Sequence, residues 1–285
     1  MKPDRPMLYL VGTPIGNLGD FSPRAKEILE GVDFIAAEDT RVSRKLLTHF
    51  GISKPMISYH EHNQRERGEH ILARILAGES CAVVTDAGMP CISDPGEDLV
   101  RLCADAGVEI VTVPGPSAVV SALAVSGLPT GRFSFEGFLS TTKGSRMEHL
   151  HSLKTDPRTL IFYEAPHKLP YTLRNMLEVL GNRRISLCRE LTKLHEEVWR
   201  TTLEEATVHY ESNSPRGEFV LVLEGAAPEP EESALSFEEA VTLIQRMAEQ
   251  GTALSAAAKD VARATGHKKG DLYRAAVENS STDTI

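Results

Sequence analysis

Residues 81–96, CAVVTDAGMPCISDPG, decide the reading of this chain. Cys81–Thr85 is a short apolar run, long enough for a buried strand and too short for a helix. Asp86 stands at its carboxyl end. A turn-rich loop through Gly88, Pro90, Ser93, Asp94 and Gly96 follows, then a helical pattern from Asp98 to Ala106. In an open α/β sheet, ligands sit just beyond the carboxyl ends of strands. Asp86 supplies a charged acceptor there, and Gly88 a backbone with no side chain in the way. One such loop alone is equally an ordinary strand-to-helix turn. The weight comes from its repetition along the chain.

Toward the N-terminus, Met7–Val11 predicts a strand, followed by the glycine loop GTPIGNLGD at 12–20. Ser22-Pro23 then supplies a cap and a first-turn proline for a helix to about Leu29. The loop is not G-x-G-x-x-G, and G-x-x-x-x-G-K-[ST] occurs nowhere, so the dinucleotide and P-loop readings fall. Asp33–Ala37 predicts a second strand ending in Glu38-Asp39-Thr40-Arg41, acids that either serve a site or cap a helix over Val42–Phe50. A third strand is expected at Pro55–Tyr59 and an amphipathic helix at His62–Ala77. Beyond the central loop, a strand at Val108–Val113 runs into PGPSA (114–118) and a small-residue helix, Ala118–Ser126. Ser117 is placed to cap that helix, whose first turn offers free N–H groups. This alternation predicts a mostly parallel, doubly wound sheet over 1–127.

GLPTGR at 127–132 marks a boundary. Strands expected at Phe133–Leu139, Thr159–Ala165, Ile185–Leu191, Glu197–Thr202 and Glu218–Leu223 outnumber the intervening helices, so 128–225 predicts a second α/β domain with a mixed sheet. Residues 226–236 read as an acidic linker, and 237–285 as three short helices close to a helix-turn-helix. That appendage either reads a nucleic acid or packs.

The composition, 285 residues with 41% apolar and 25% charged, is that of a soluble globular protein with ample core. No signal-peptide pattern and no apolar run near 18 residues is present, so a cytoplasmic protein with no membrane partner is expected. Four cysteines without a C-x-x-C pair read as reduced, buried thiols, and His60-Glu61-His62 has the wrong spacing for a zinc site, so no metal is expected. The net charge of −9 is unevenly spread: 141–200 carry 11 Lys and Arg against 7 Asp and Glu, 201–235 carry 1 against 8. The basic middle either faces phosphate or is a solvated surface.

Seven motifs in this order, LYLVGTPIGNLGD, DFIAAEDTR, VTDAGMPCISDPG, PGPSA, FEGFL, FYEAPHKL and CRELTKLHEEVWR, resemble the ribosomal RNA small subunit methyltransferase I family of the tetrapyrrole-methylase superfamily. The resemblance covers about 7–225, and the helical appendage matches as well. It implies an S-adenosylmethionine cofactor in a cleft between two α/β domains, usually in a homodimer. It also implies methylation of a cytidine ribose 2′-hydroxyl in 16S rRNA of the small ribosomal subunit. Carried over by motif, Ile15, Asp86, Met89, Ser117 and Ala118 line the cofactor pocket from one side. Tyr163, Ala165, Leu191 and Glu218 close it from the other. The residues themselves point only to Asp86 and Ser117; Met89 and Leu191 read as core.

In-line methyl transfer needs alignment first, an effect worth on the order of 7–11 kcal/mol at best. It also needs help for a poorly nucleophilic hydroxyl. Lys193 and Glu190 are the foremost candidates, with His195 beside them and Glu38 and Asp39 across the cleft. A lysine acts as base only where burial or neighbouring cations lower its pKa. A small-molecule tetrapyrrole methylase would share fold and cofactor without needing a basic middle. A non-enzymatic nucleic-acid-binding regulator would leave the strand-end loops idle.

Overall fold

The computed structural model describes residues 6–227 and 235–280. The first sheet holds β1 (Met7–Val11), β2 (Phe34–Ala37), β3 (Met56–Ser58), β4 (Cys81–Val84) and β5 (Glu109–Val113), all parallel, in the order β3-β2-β4-β1-β5. Between and after them run α1 (Pro23–Gly31), α2 (Thr40–His49), α3 (Gln64–Leu76), α4 (Glu97–Asp105) and α5 (Ala118–Ser126). Every residue of β2 and β4 is buried, as a strand covered on both faces requires. Period-two alternation divides them: Ile35, Ala37, Ala82 and Val84 pack with Ala25 and Leu29 of α1 and Leu47 of α2. Phe34, Ala36, Cys81 and Val83 pack with Ile71 and Ile75 of α3 and Leu99 of α4 on the other face.

Local capping explains where the helices start. The Ser22 hydroxyl accepts from the Ala25 N–H at 3.0 Å, with Pro23 at the first helical position. Asp39 caps α2, accepting from the Arg41 N–H at 2.8 Å, so this helix begins at Thr40, two residues before the expected Val42. Ser117 occupies the cap position of α5, but its hydroxyl makes no capping bond, contrary to the expectation for that residue. The strand order reverses between β1 and β4, because the chain leaves β1 toward β2 and leaves β4 toward β5. The two connections leave to opposite faces of the sheet, and the crevice of such a switch point lies beyond the carboxyl ends of these strands.

The second sheet runs β6-β7-β10-β8-β9, from β6 (Phe133–Phe138), β7 (Thr159–Glu164), β8 (Arg184–Arg189), β9 (Glu197–Thr202) and β10 (Phe219–Leu223). Only β6 and β7 pair in parallel, giving the mixed sheet expected. One face is covered by α6 (Lys143–Ser152), α7 (Leu169–Leu180) and α8 (Leu203–Ser212), with Phe162, Leu187 and Leu221 against Leu150, Leu173 and Leu203. The other face, Ile161, Cys188, Val220 and Val222, receives Val119, Ala122 and Leu123 of α5. Although α5 follows the last strand of the first sheet, it packs on the second, and both sheets belong to one compact unit ending at Gly225. The boundary expected at 127/128 falls directly after this helix.

A second unit begins at Ala226. The part of the expected linker at 228–234 lies outside the described residues. Helices α9 (Phe237–Glu249), α10 (Leu254–Thr265) and α11 (Lys269–Ser280) enclose their own core of Val241, Ile244, Ala258, Val261 and Leu272. A capping box between Ser236 and Glu239 opens α9.

Candidate active site

Three loops of the first sheet meet at the crevice. The glycine loop after β1 is stitched to the Asp86 loop by Thr13 N–H donating to the Gly88 carbonyl at 2.9 Å and Gly88 N–H to the Thr13 carbonyl at 3.1 Å. The Thr13 hydroxyl adds a bond to the Thr85 carbonyl at 3.1 Å. The PGPSA loop after β5 crosses so closely that a Cβ on Gly115 would lie 2.7 Å from the Gly12 Cα, and one on Gly12 would lie 2.6 Å from the Gly115 Cα. Only glycine at both positions lets these strand ends converge. Glu38 at the end of β2 joins them, accepting from the Thr85 hydroxyl at 2.6 Å and the Asp86 N–H at 3.3 Å. Asp39 N–H in turn donates to Asp86 at 3.2 Å.

Ends of the second sheet face this assembly and enclose a cavity of about 530 Å³. All nine residues expected to hold the cofactor line it: Ile15, Asp86, Met89, Ser117 and Ala118 from the first side. Tyr163, Ala165, Leu191 and Glu218 come from the other. The Tyr163 ring packs edge-on against Phe135 and Phe138, at centroid distances of 4.9 and 5.5 Å. Burial pushes its phenol up to about 12, so it stays neutral. Phe138, Asp94, Phe219 and Val220 also line the cavity and were not singled out from sequence. Asp94 read as a turn residue, and Phe219 and Val220 as strand core; the FEGFL motif was the one signal for Phe138.

The wall is apolar apart from its acids and the hydroxyls of Thr85, Ser93, Ser117 and Tyr163. Five carboxylates, Glu38, Asp86, Asp94, Glu164 and Glu218, border the cavity, and among the described lining residues there is no lysine or arginine. Burial, then the charge of Glu38, raises Asp94 to about 6; burial and Glu38 likewise raise Asp86. A cavity bordered by carboxylates, two of which burial and a neighbouring acid hold back from ionising, favours a cationic guest.

At the mouth the Lys193 ammonium is held by Glu190 at 2.9 Å and Glu218 at 2.8 Å. Glu190 also accepts from the Glu218 N–H at 2.9 Å. Burial lowers the Lys193 pKa, but the two carboxylates outweigh it and leave the pKa raised, so the condition under which this lysine would act as a base is not met. Lys193 borders the mouth rather than the cavity, and Glu190 lines neither, touching the mouth only through Lys193 and Glu218. His195 is exposed and lines no part of it, and Asp39 turns away to pair with Arg41 at 2.6 Å. Non-glycine residues with positive φ cluster in the two loops bordering this region: Cys91 (71°) and Ser93 (62°), and Glu190 (50°) and Thr192 (67°). Such strain persists where surrounding structure over-determines the backbone.

Two α/β layers with a cleft at the strand ends define a class, and the family model described as Tetrapyrrole (Corrin/Porphyrin) Methylases matches residues 7–207. The uroporphyrin-III-C-methyltransferase structure from Thermus thermophilus shares this fold at a TM-score of 0.55 and 20% identity, covering 76% of this chain and 94% of that one. Among curated relatives, the ribosomal RNA small subunit methyltransferase I of Synechocystis sp. is 48% identical over 273 residues, 95% of this chain and 98% of its own length. The chain belongs to the ribosomal RNA small subunit methyltransferase I family. A Thermotoga maritima member is 48% identical over 218 residues, covering 98% of its own length but 76% of this chain.

Proposed function

We propose that the protein is an S-adenosylmethionine-dependent methyltransferase that methylates the ribose 2′-hydroxyl of a cytidine in 16S rRNA of the small ribosomal subunit. The observation that carries this reading is the acidic, apolar-walled cavity between two sheets in a chain of this family. When bound there, S-adenosylmethionine supplies an electrophilic methyl group on a sulfonium cation. The donor set suits it: carboxylates for the cationic centres and hydroxyls, and Ile15, Met89, Tyr163 and Leu191 for apolar parts. Asp86 holds polar groups at the end of β4. The first turn of α5, whose N–H groups Ser117 leaves uncapped, receives an acceptor. Residues 1–127 supply one wall and 128–225 the other, with 237–285 as a helix-turn-helix-like appendage beyond the acidic stretch.

Lys193 keeps its proton and acts as a fixed cation at the mouth, orienting the incoming ribose and offsetting negative charge that develops on its oxygen as the hydroxyl proton passes to solvent at the mouth. Glu190 is a positioning residue that aims Lys193. Alignment by these groups, with water excluded by the Tyr163 wall, carries most of the acceleration. Acting on assembled subunits or their RNA implies a cytoplasmic site of action; the resemblance adds a homodimer. No helix among the described residues is long and apolar enough to cross a membrane.

The test is methyl transfer from labelled S-adenosylmethionine to small subunits from cells lacking the enzyme, and separately to naked 16S rRNA. Ribose-bound label in either supports the reading. No label in either, with cofactor binding intact, favours a small-molecule substrate instead.

A further inference from the structure

A second groove, of about 490 Å³, opens from the cavity mouth through residues common to both, Ile15, Asp86 and Glu218. Its floor is apolar, with Leu18 and Val42 exposed to solvent at 43% and 38%. Its rim carries Lys45 and His49 of α2 on one side and, on the other, Lys193 held between Glu190 and Glu218, with Asp86 and Glu218 where it meets the cavity. Lys45 and His49 also border an open depression with Arg41 and Arg44. The positions 41, 44, 45 and 49 fall on one stripe of α2, opposite the buried Ser43 and Leu47. Among the described helices, α2 alone carries several basic residues and no acid. Arg41 is paired with Asp39, whereas Arg44 and Lys45 are exposed and have no carboxylate partner among the described residues.

This contrast in charge is informative. The cavity itself is acidic, so the stripe adds nothing to holding a cationic cofactor. A molecule lying in the groove meets an apolar floor and a row of cations, and then reaches the cavity mouth. A positively charged groove that follows the backbone is how single-stranded nucleic acid is tracked without reading its sequence, and the aliphatic floor offers the bases a surface to lie on.

We propose that the α2 stripe and the groove beside it are the track for single-stranded RNA, with Arg44 and Lys45 holding phosphates next to the nucleotide whose ribose enters the mouth. This rests on the RNA-methylating reading above and assigns it a substrate-positioning surface. The track delivers the substrate strand from the α2 side of the mouth and fixes its register against Lys193.

The test is the double variant Arg44→Gln/Lys45→Gln, compared with wild type in methylation of small subunits across a salt series. Both side chains are exposed, and an unchanged unfolding temperature checks the fold. The expected result is KM for subunits raised roughly 10- to 30-fold near 0.1 M salt and a salt slope shallower by about 1.4, the loss of two single-strand phosphate contacts. The kcat and cofactor affinity should stay at wild-type values. Wild-type KM and slope in the variant, while wild type methylates the RNA, would overturn the track and leave the RNA-methylating reading standing. Reduced kcat with unchanged KM would also overturn it. So would weaker binding of subunits with undiminished binding of a single-stranded oligocytidine RNA, which assigns the stripe to a ribosomal protein. A wild-type enzyme that labels no RNA removes both readings together.

Discussion

Asp94 and Asp86 border one cavity and differ in how they were found. Asp86 was legible because a lone acid at a strand's carboxyl end has few structural duties. Asp94 was hidden inside SDPG, where an aspartate is an ordinary turn residue. Met89, Leu191 and Val220 were unreadable for a different reason: an apolar side chain on a cavity wall has the same sequence signature as one in the core. Asp86→Ala should weaken S-adenosylmethionine binding about 10- to 100-fold, the loss of a charged hydrogen-bond acceptor, with an unchanged unfolding temperature; titration calorimetry measures both states. Lys193→Ala should abolish methylation while leaving cofactor affinity near wild type, and loss of both together would make it structural. The Asp94 pKa of about 6 also sets a pH dependence. Its folded pKa lies above the ordinary 3.8, so the stability it contributes is complete below pH 4 and lost as pH rises through 6. Asp94→Asn should therefore be more stable than wild type above pH 6, by about 1 kcal/mol after screening by water in the open cleft. The advantage should shrink toward pH 4. Urea unfolding at the two pH values checks the sign.

At the scale of elements, nearly every strand and helix was readable, with ends moving by one to three residues for local reasons such as the Asp39 cap. The placement of α5 was not legible. Its sequence, AVVSALAVS, is apolar on all sides and carries no stripe to show which surface it covers. The convergence of the loops after β1 and β5 was likewise invisible, because a pair of glycines 103 positions apart announces nothing until the sheet brings them together. Gly115→Ala should destabilise the protein by about 1–3 kcal/mol, since its Cβ would press on backbone that has nowhere to move. Denaturant midpoints at constant slope measure this. Gly16→Ala presses on the loop that carries Lys193: its Cβ would lie 2.5 Å from Cγ of Lys193, 2.9 Å from Thr192 Oγ1 and 3.2 Å from the Leu191 carbonyl. It should lower kcat by displacing that ammonium, beside any loss of stability.

Over the whole molecule, the acidic net charge gave no hint that one helix carries a row of basic residues and no acid. Charge averaged over a whole chain conceals a stripe ten residues long. The C-terminal helices were recognisable as a separate body, and they have a core of their own. A family member from Thermotoga maritima matches over 98% of its length while spanning only 76% of this chain. A chain ending at Gly225 should accordingly fold and bind S-adenosylmethionine as tightly as the full protein. Thermal unfolding and calorimetry of the shortened chain test this, and loss of either property would make the helical unit part of the fold.

The packing of α5 has a mechanical consequence. A helix tethered to the first sheet through four residues, 114–117, yet fastened to the second by Val119, Ala122 and Leu123, makes the spacing between cavity walls a property of the core. Amides of α5 beyond its uncapped first turn should then exchange with deuterium only through global opening, as slowly as those of β1 and β10. The cofactor would enter a receptacle already at its final width, and most of the ordering cost is met when the chain folds.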